Sequence, residues 1–559
     1  MTELVFLLLV VGTLLILYIK GRFDERKKKT EFIRSLKDSF GGLPMASQKV
    51  PEEYRGALKG YLSRHEPRDG IDDITASDLE LDEVFDRLNY TFSSVGAEYL
   101  YCRLRTPSQG RGEEDYDETV LKEIHDDENL RTSLQYAFRM LGRTGRLSIY
   151  DYIDFLDGAK EKSNLLNYLA PVLVVLALLL VLIRTEMGIL AFFGVLAFNM
   201  VTYYREKKDN ELFLGSFRYI LRMLTFADRL KSMNLPGLER EKKIIAENTA
   251  AFEPFRRGAG ILLYQTGGGN PLDVLFDYAR ILLHLDLIKF NTMLRHVRGH
   301  RAELDALITA FGRIESMLSV VCYRASLEQY CVPEFTGKDE NYSVRELAHP
   351  LLEHPVTNDI TTKGWVLITG SNASGKSTFL KACALGALMA QTIGTVCAES
   401  YRAPFYRIFS SMALRDDLGR GESYYIVEIR SLKRILDSAS TDGGAPVLAF
   451  IDEVLRGTNT VERIAASSEV LMSFPGRNIR CFAATHDIEL TSLLEGSYDN
   501  YHFEEEIRDG DVLFNYRLMK GRAASRNAIR LLDAIGYDRN ITEAAERRAE
   551  HFIETGEWR

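Results

Sequence analysis

A chain of 559 residues exceeds one ordinary domain, and at about 100–200 residues per domain it divides into several segments with room for a sizeable core. Its formal net charge of −9 excludes a nucleic-acid binder that works through overall positive charge, so any such contact must come from a local basic patch. The six cysteines, Cys102, Cys322, Cys331, Cys383, Cys397 and Cys481, include no Cys-x-x-Cys pair, which argues against a zinc site or a disulfide framework and suits a reducing compartment.

Leu4 to Ile19 is an almost unbroken apolar run closed by Lys20, Arg22, Arg26, Lys27, Lys28 and Lys29. A secretory signal carries its basic residues before the run and a small-residue cleavage site after it. Here the basic cluster follows, so residues 1–20 read as an uncleaved transmembrane anchor. Residues 21–75 are charged and mixed, with Gly41-Gly42 and Pro44 as breakers, and read as a juxtamembrane linker. Across 76–163 apolar positions recur at helical spacing, Leu81, Val84, Phe85, Leu88 and then Val95, Tyr99, Leu100, Leu104, which predicts the first part of a helical region.

A second apolar region runs from Leu165 to Ile183, breaks at Arg184, Thr185 and Glu186, and resumes from Met187 to Val201. A charge-free run of that length exceeds what a buried helix in a soluble core needs, so residues 164–204 are expected to be a transmembrane helical hairpin. Pro171 falls in the first turns, where a helix tolerates it. Lys160 and Lys162 precede the hairpin, and Arg205, Lys207 and Lys208 follow it. With the cluster at 20–29, the positive-inside rule places all of these on the cytoplasmic face of a multi-pass cell-membrane protein, the N-terminus outside and everything after Tyr204 inside.

Residues 205–340 read as the second part of the helical region, with a stripe at Leu275, Tyr278, Ala279, Leu282, Leu285 and Ile288 after a breaker at Gly267-Gly268-Gly269-Asn270-Pro271. From 341 to 559 the texture changes to short β-rich runs between helices: Trp365–Thr369, Val447–Ile451, Cys481–Thr485 and Phe514–Leu518. That alternation predicts an α/β domain with a mainly parallel sheet. Tyr501–Phe503, the Asp509-Gly510 turn and Val512–Leu518 suggest a closing antiparallel hairpin.

Gly370-Ser371-Asn372-Ala373-Ser374-Gly375-Lys376-Ser377 matches the phosphate-loop pattern directly after a predicted strand. In such a loop successive backbone N–H groups face the phosphates, Lys376 reaches the β and γ oxygens, Ser377 offers its hydroxyl to Mg²⁺, and Thr378 continues into the helix. The apolar strand ending at Ile451 delivers Asp452 and Glu453. Asp452 suits the Mg²⁺-associated carboxylate of phosphoryl transfer, and Glu453 is placed to orient or deprotonate the attacking water. An Asp-Glu pair after an apolar run is weak by itself, since helix starts often carry acids; the phosphate loop upstream gives it weight. His486 ends a third strand at the spacing where ATP-binding cassettes carry a histidine that senses the γ-phosphate, although a lone histidine after a strand is more often structural. ATP and Mg²⁺ are the expected ligands.

These motifs resemble the MutS family more closely than a generic ATP-binding cassette. Thr369-Gly370-Ser371-Asn372 through Lys376-Ser377-Thr378-Phe379-Leu380 is similar to its phosphate loop, and His349-Pro350-Leu351 and Asn358-Asp359-Ile360 to its upstream elements. Asp416-Asp417-Leu418 with Glu422-Ser423-Tyr424-Tyr425-Ile426-Val427-Glu428 resembles its signature stretch. Asp452-Glu453-Val454-Leu455-Arg456-Gly457-Thr458-Asn459-Thr460 and Ala484-Thr485-His486 with Glu489-Leu490 are similar to its two downstream blocks. In the helical region Leu88, Thr91, Gly96, Leu100, Leu104 and Pro107 look like the entry to the family's lever, with Asn89 in place of the usual aspartate.

The resemblance implies a P-loop ATPase domain of ABC/MutS type on an all-α lever, here interrupted by the membrane hairpin. It also implies a homodimer whose composite ATP sites take the phosphate loop, Asp452, Glu453 and His486 from one chain and Ser423 from the other. Hydrolysis would then move the lever helices and serve a DNA transaction such as mismatch repair or recombination. Two departures pull the other way: Tyr424-Tyr425 replaces Thr-Phe in the signature, and residues 1–75 leave no room for a mismatch-recognition domain. DNA contact then reduces to a non-specific backbone contact from Arg256, Arg257, Arg295, Arg298 and Arg301, which could equally be a solvated or lipid-facing surface. The alternative function is an ATP-gated membrane-remodelling or signalling scaffold that does not bind DNA. A transporter fits less well, because the spans carry no charged residue.

Overall fold

The computed structural model describes residues 20–558 apart from 21–22, 25, 68, 111–115, 160–162, 211–212, 260–277, 372–373, 413–423, 440–443, 457, 509–510, 523–528, 530–531 and 533–535. The expected anchor at 1–19, the 267–271 breaker with Leu275, Asn372, Ala373 and the signature residues up to Ser423 therefore lie outside the described residues. Two compact units emerge, each discontinuous in sequence: Met1–His65 with Asn89–Cys102 and Asp117–Cys322, and Glu66–Leu88 with Arg103–Tyr116 and Tyr323–Arg559.

The first unit is helical. Val95, Tyr99, Leu100 and Leu104 all turn inward on the helix Ser94–Leu104, as their spacing predicts. That helix and Arg301–Ser326 approach closely at two glycines: a Cβ on Gly96 would sit 2.1 Å from Glu315 Oε2, and one on Gly312 would sit 2.5 Å from Tyr99 Cβ. Around this contact two carboxylates are sealed from water. Glu315 accepts the backbone N–H groups of Phe92 at 2.6 Å and Ser93 at 3.1 Å. Glu98 accepts the Tyr54 hydroxyl at 2.6 Å and the Ile149 N–H at 3.0 Å. Inside the stretch expected to be a linker, the 3₁₀ helix Glu52–Leu58 and the short α-helix Lys59–Arg64 bury Tyr54, Leu58 and Tyr61.

Among the described residues three helices are long and apolar enough to cross a membrane: Leu165–Ile183, Thr185–Glu206 and Arg301–Ser326. The first two are joined at Arg184, and a Cβ on Gly188 would lie 2.3 Å from the Val181 nitrogen, so the turn admits only glycine. Their apolar surface is bare, with Leu182 at 83% exposure and Leu190 at 71%. Arg301–Ser326 is instead packed inside the helical unit, where Leu304, Leu307, Phe311 and Ile314 are sealed from solvent.

The second unit holds the sheets. Among the described residues its strands are β1 Glu334–Phe335, β2 Tyr342–Leu347, β3 Asn358–Thr362, β4 Trp365–Thr369, β5 Ser400–Ala403, β6 Arg407–Ser411, β7 Val447–Asp452, β8 Ile479–Thr485, β9 Asp499–Arg508 and β10 Asp511–Lys520. A four-stranded sheet runs β1-β5-β2-β3 and a six-stranded sheet β10-β9-β4-β8-β7-β6. In the larger one every pair is parallel except the hairpin β9–β10. Strands covered on both faces read as unbroken apolar runs, and β7 and β8 are buried along nearly their whole length. One face packs Leu367, Val447, Ala449 and Ile451 against Leu432, Ile435, Leu471 and Phe474. The almost fully buried helix Lys376–Ile393 continues from β4 through the glycine-rich loop. The stripe Leu81, Val84, Phe85 and Leu88 forms one helix with all four residues buried. Its neighbour Asp73–Asp78 is tied to β6 through Asp78, which accepts the Ser410 hydroxyl at 2.6 Å and the Met412 N–H at 2.9 Å.

Candidate functional site

Strand register brings the three sequence motifs to one edge. Thr369 pairs with Thr485, and Asp452 with Ala484, so the loop after β4, the acidic tip of β7 and the histidine after β8 lie side by side at the carboxyl ends of parallel strands. That is where open α/β sheets place their ligands.

The glycines of the loop serve shape. Gly370 has φ +145° and a Cβ there would meet the Phe503 carbonyl oxygen at 2.8 Å; Gly375 has φ +104° and caps the following helix. Lys376 donates to the carbonyls of Gly370 at 2.9 Å and Ser371 at 2.7 Å, folding its ammonium back over the loop. The Ser374 hydroxyl is buried and has no hydrogen-bond partner among the described residues. Burial pushes the Asp452 carboxyl above the usual range, with the nearby Ser377 hydroxyl opposing and the charge of Glu453 adding to the rise. A cation set between Ser377 and Asp452 would relieve that cost, so the pair suits Mg²⁺.

Glu453 has φ +63° and Leu455 φ +57°, a left-handed backbone that side chains adopt at a cost of about 1–3 kcal/mol and that clusters at functional sites. The twist is pinned by the Glu453 N–H donating to the Ala484 carbonyl at 2.9 Å and by Glu428, whose Oε1 accepts the Arg456 N–H at 2.9 Å. One Glu453 oxygen lies 3.0 Å from His486 Nε2 and the other 2.8 Å from Arg456 Nε. The His486 bond, with its charge and that of Arg456, holds the Glu453 carboxyl below its ordinary range against the opposing effect of burial. Next to His486, Asp487 takes a two-pronged contact from Arg463 at 2.8 and 2.5 Å, which anchors the turn after β8.

These groups line a cavity of about 590 Å³. Its polar lining comes from Ser374, Lys376, Ser377, Thr378, Asp452, Glu453 and His486, and its apolar lining includes Pro355, Val356 and Phe503, with Tyr516 beside Gly375. Gly370 and Ser371 contribute carbonyls to Lys376 rather than cavity wall. A cavity that joins the charged groups of a phosphate loop to apolar and aromatic walls suits a nucleotide.

The MutS domain V family model matches residues 366–553, the segment that carries all three strand tips. The C-terminal region of this chain belongs to the MutS family. The DNA mismatch repair protein MutS of Thermus thermophilus is 30% identical over 253 residues, 44% of this chain and 30% of its own length. Its namesake in Pseudothermotoga lettingae is 33% identical over 243 residues, 41% of this chain and 29% of its own. That of Thermotoga maritima is 30% identical over 274 residues, 47% of this chain and 34% of its own. The chain thus spans about a third of the length of these curated relatives.

Within this MutS-family region the structure adds residues that motif reading left without a role. Tyr516, at φ +53° in the β10 bulge, packs on Gly375, where an added Cβ would lie 3.1 Å from its ring. Asn358 fixes it there by donating to the Tyr516 carbonyl at 3.0 Å and accepting the Leu518 N–H at 2.7 Å. His349 lines the cavity, and burial beside Lys381 pushes its pKa down to about 4, so it stays neutral. Arg456 stands three residues after Glu453, a spacing at which a helical turn or a tight bend brings a guanidinium to a carboxylate, and that spacing is its one mark in the sequence.

Proposed function

We propose that residues 341–559 bind and hydrolyse ATP at the edge formed by β4, β7 and β8. The observation that carries this reading is the convergence of Lys376, the Ser377–Asp452 pair and the Glu453–His486 pair on one cavity. The loop N–H groups and Lys376 bind the phosphates, releasing Lys376 from the Gly370 and Ser371 carbonyls. Ser377 and Asp452 would hold Mg²⁺, which supplies charge neutralisation on the phosphate oxygens. Glu453, kept ionised by His486 and Arg456, accepts a proton from water as its oxygen bonds to the γ-phosphorus and the bond to the β,γ-bridging oxygen breaks, leaving ADP and phosphate. His486 orients Glu453 from 3.0 Å. By family resemblance the working unit is a homodimer with Ser423 of one chain completing the site of the other.

The bare apolar surfaces of Leu165–Ile183 and Thr185–Glu206 support a membrane hairpin that keeps this ATPase at the cytoplasmic face. Coupling to a DNA transaction rests on the resemblance. One observation favours the second reading, an ATP-gated scaffold that leaves DNA alone: three of the five arginines offered by the sequence as a DNA-facing patch are engaged within the helical unit. Arg256 pairs with Asp228, Arg301 with Asp157, and Arg298 donates to the carbonyls of Leu156, Asp157 and Ala159.

The test uses the purified full chain. Lys376→Ala is expected to abolish ATP binding, whereas Glu453→Gln keeps binding and loses turnover by about 10²–10⁴-fold, measured as nucleotide affinity and phosphate release. Parent-like turnover in Glu453→Gln would remove that residue from the mechanism.

A further inference from the structure

The helical unit contains a second cavity, of about 1010 Å³, lined by residues of the helices Glu128–Leu141, Ile149–Phe155 and Leu214–Ser232. Arg218, Arg222 and Arg229 line it from Leu214–Ser232 at spacings of four and seven, which is one face of a helix, and Thr225 stands among them. No acidic side chain lines the cavity, and none of the three arginines is in an ion pair among the described residues. One turn away the pattern differs, since Asp228 pairs with Lys231 at 2.7 Å. Aromatic rings hold two of the guanidinium groups without neutralising them: Arg222 lies 4.9 Å from the Tyr219 ring centre and Arg229 5.5 Å from that of Tyr136.

The remainder of the wall is apolar and partly open. Met140 lines the cavity at 56% exposure, above a floor that includes Phe226 and Leu141. At the start of the arginine-bearing helix Phe213 packs on Phe155, 4.8 Å between ring centres, and Phe155 is itself exposed. Leu214–Ser232 also follows closely in sequence on Thr185–Glu206, with the basic residues Arg205, Lys207 and Lys208 around the join. Fixed cations beside exposed apolar side chains, on a helix that follows a span in sequence, match a bilayer surface, where phosphate headgroups overlie acyl chains. A polyanion in water would use the cations and gain nothing from the apolar lip.

We propose that this groove seats the phosphate headgroup of an acidic phospholipid at the cytoplasmic membrane surface, the guanidinium forks of Arg218, Arg222 and Arg229 taking the phosphate oxygens. The proposal rests on the reading of residues 164–204 as a membrane hairpin. In the test, delipidated full chain in detergent is titrated with phosphatidylglycerol or phosphatidylcholine, and bound lipid is counted by native mass spectrometry. The parent is expected to prefer phosphatidylglycerol by about tenfold or more, and the triple variant Arg218→Gln, Arg222→Gln, Arg229→Gln to lose that preference while retaining ATP turnover and helical content. Equal affinity for the two lipids, or a preference that survives the triple substitution, overturns the groove assignment. Duplex DNA binding that the triple variant loses, without any lipid preference in the parent, would give the groove to nucleic acid instead. Alkaline carbonate extraction of cell membranes separates the two layers of the argument. Release of the chain overturns the hairpin and the placement at a bilayer, whereas retention without lipid preference overturns the groove alone.

Discussion

Glu453 and Glu315 are both carboxylates drawn away from bulk water, one at the edge of the six-stranded sheet and one inside the helical unit, and their surroundings drive them in opposite directions. Glu315 is enclosed by backbone N–H donors and the Ser93 hydroxyl, and burial, eased by these bonds and by Arg143, pushes it up to about 7. Glu98 close by is pushed up to about 8 for the same first reason, with Tyr54 opposing. Glu453 feels burial too, yet the His486 bond outweighs it, Arg456 adds to the effect, and the carboxyl stays below its ordinary range. Burial with neutral donors makes a carboxylate a structural hydrogen-bonding group that surrenders its charge near neutrality. Burial with nitrogen partners on both oxygens makes a base that remains ionised and aimed at the cavity.

The contrast breaks most sharply at His486. Replacing it with alanine removes the first cause of the lowered Glu453 pKa and the 3.0 Å bond that aims the carboxylate. Turnover is expected to fall by about a hundredfold with ATP affinity little changed, and the acid limb of the pH–rate profile to move upward, since Glu453 acts only when ionised. A limb that stays where the parent has it would mean that His486 does not set the charge of Glu453.

Glu315 supplies the opposite test. Its folded pKa of about 7 lies above the ordinary value of 4.5, so the folded state holds the proton more tightly, and its contribution to stability is full below about 4.5 and lost as pH rises through about 7. The thermal midpoint of the full chain in detergent should therefore drop across that window, by an amount on the order of 1–3 kcal/mol in unfolding free energy. Glu315→Gln mimics the protonated form and should flatten the slope, with Glu98 carrying what remains. An unchanged slope in the Glu98→Gln, Glu315→Gln double variant would place the titrating group elsewhere.

The same two regions differ in how far their sequence discloses them. In the sheet, β4, β7 and β8 are buried on both faces, so each is a short apolar run whose first polar residue marks the tip, and the motifs could be read in one dimension. The β9–β10 hairpin followed from its turn, although residues 509–510 themselves lie outside the described residues. What the runs did not carry was the small sheet β1-β5-β2-β3, whose strands are short and half-exposed, or Tyr516, whose place on Gly375 comes from a bulge pinned by Asn358 from a distant strand. In the helical unit the periodicity found which faces are buried, but not which face meets which. Gly96 and Glu315, or Gly312 and Tyr99, are partners only after folding. For the same reason Arg256, Arg298 and Arg301 read in sequence as an open basic face, while nothing in the sequence marks Arg218, Arg222 and Arg229, which have no ion-pair partner among the described residues.

The finest distinction lies between the two partners of Glu453. Arg456 touches the second oxygen at 2.8 Å, closer than His486 lies to the first at 3.0 Å, but its side chain is 62% exposed whereas that of Glu453 is 19% exposed. Water screens an exposed guanidinium, and exposed ion pairs contribute about 0–1 kcal/mol. His486 accounts for the first cause of the lowered carboxyl and Arg456 only a later one. Arg456→Ala should therefore raise the acid limb of the pH–rate profile by well under about one unit, in the same direction as His486→Ala, and lower turnover by no more than about fivefold. Added salt should erase the difference between this variant and the parent, because screening already removes the Arg456 contribution, while leaving the His486→Ala defect in place. Should Arg456→Ala prove as damaging as His486→Ala and insensitive to salt, its role would lie in the left-handed turn at Glu453 and Leu455, which Glu428 holds through the Arg456 N–H, rather than in the charge of its side chain.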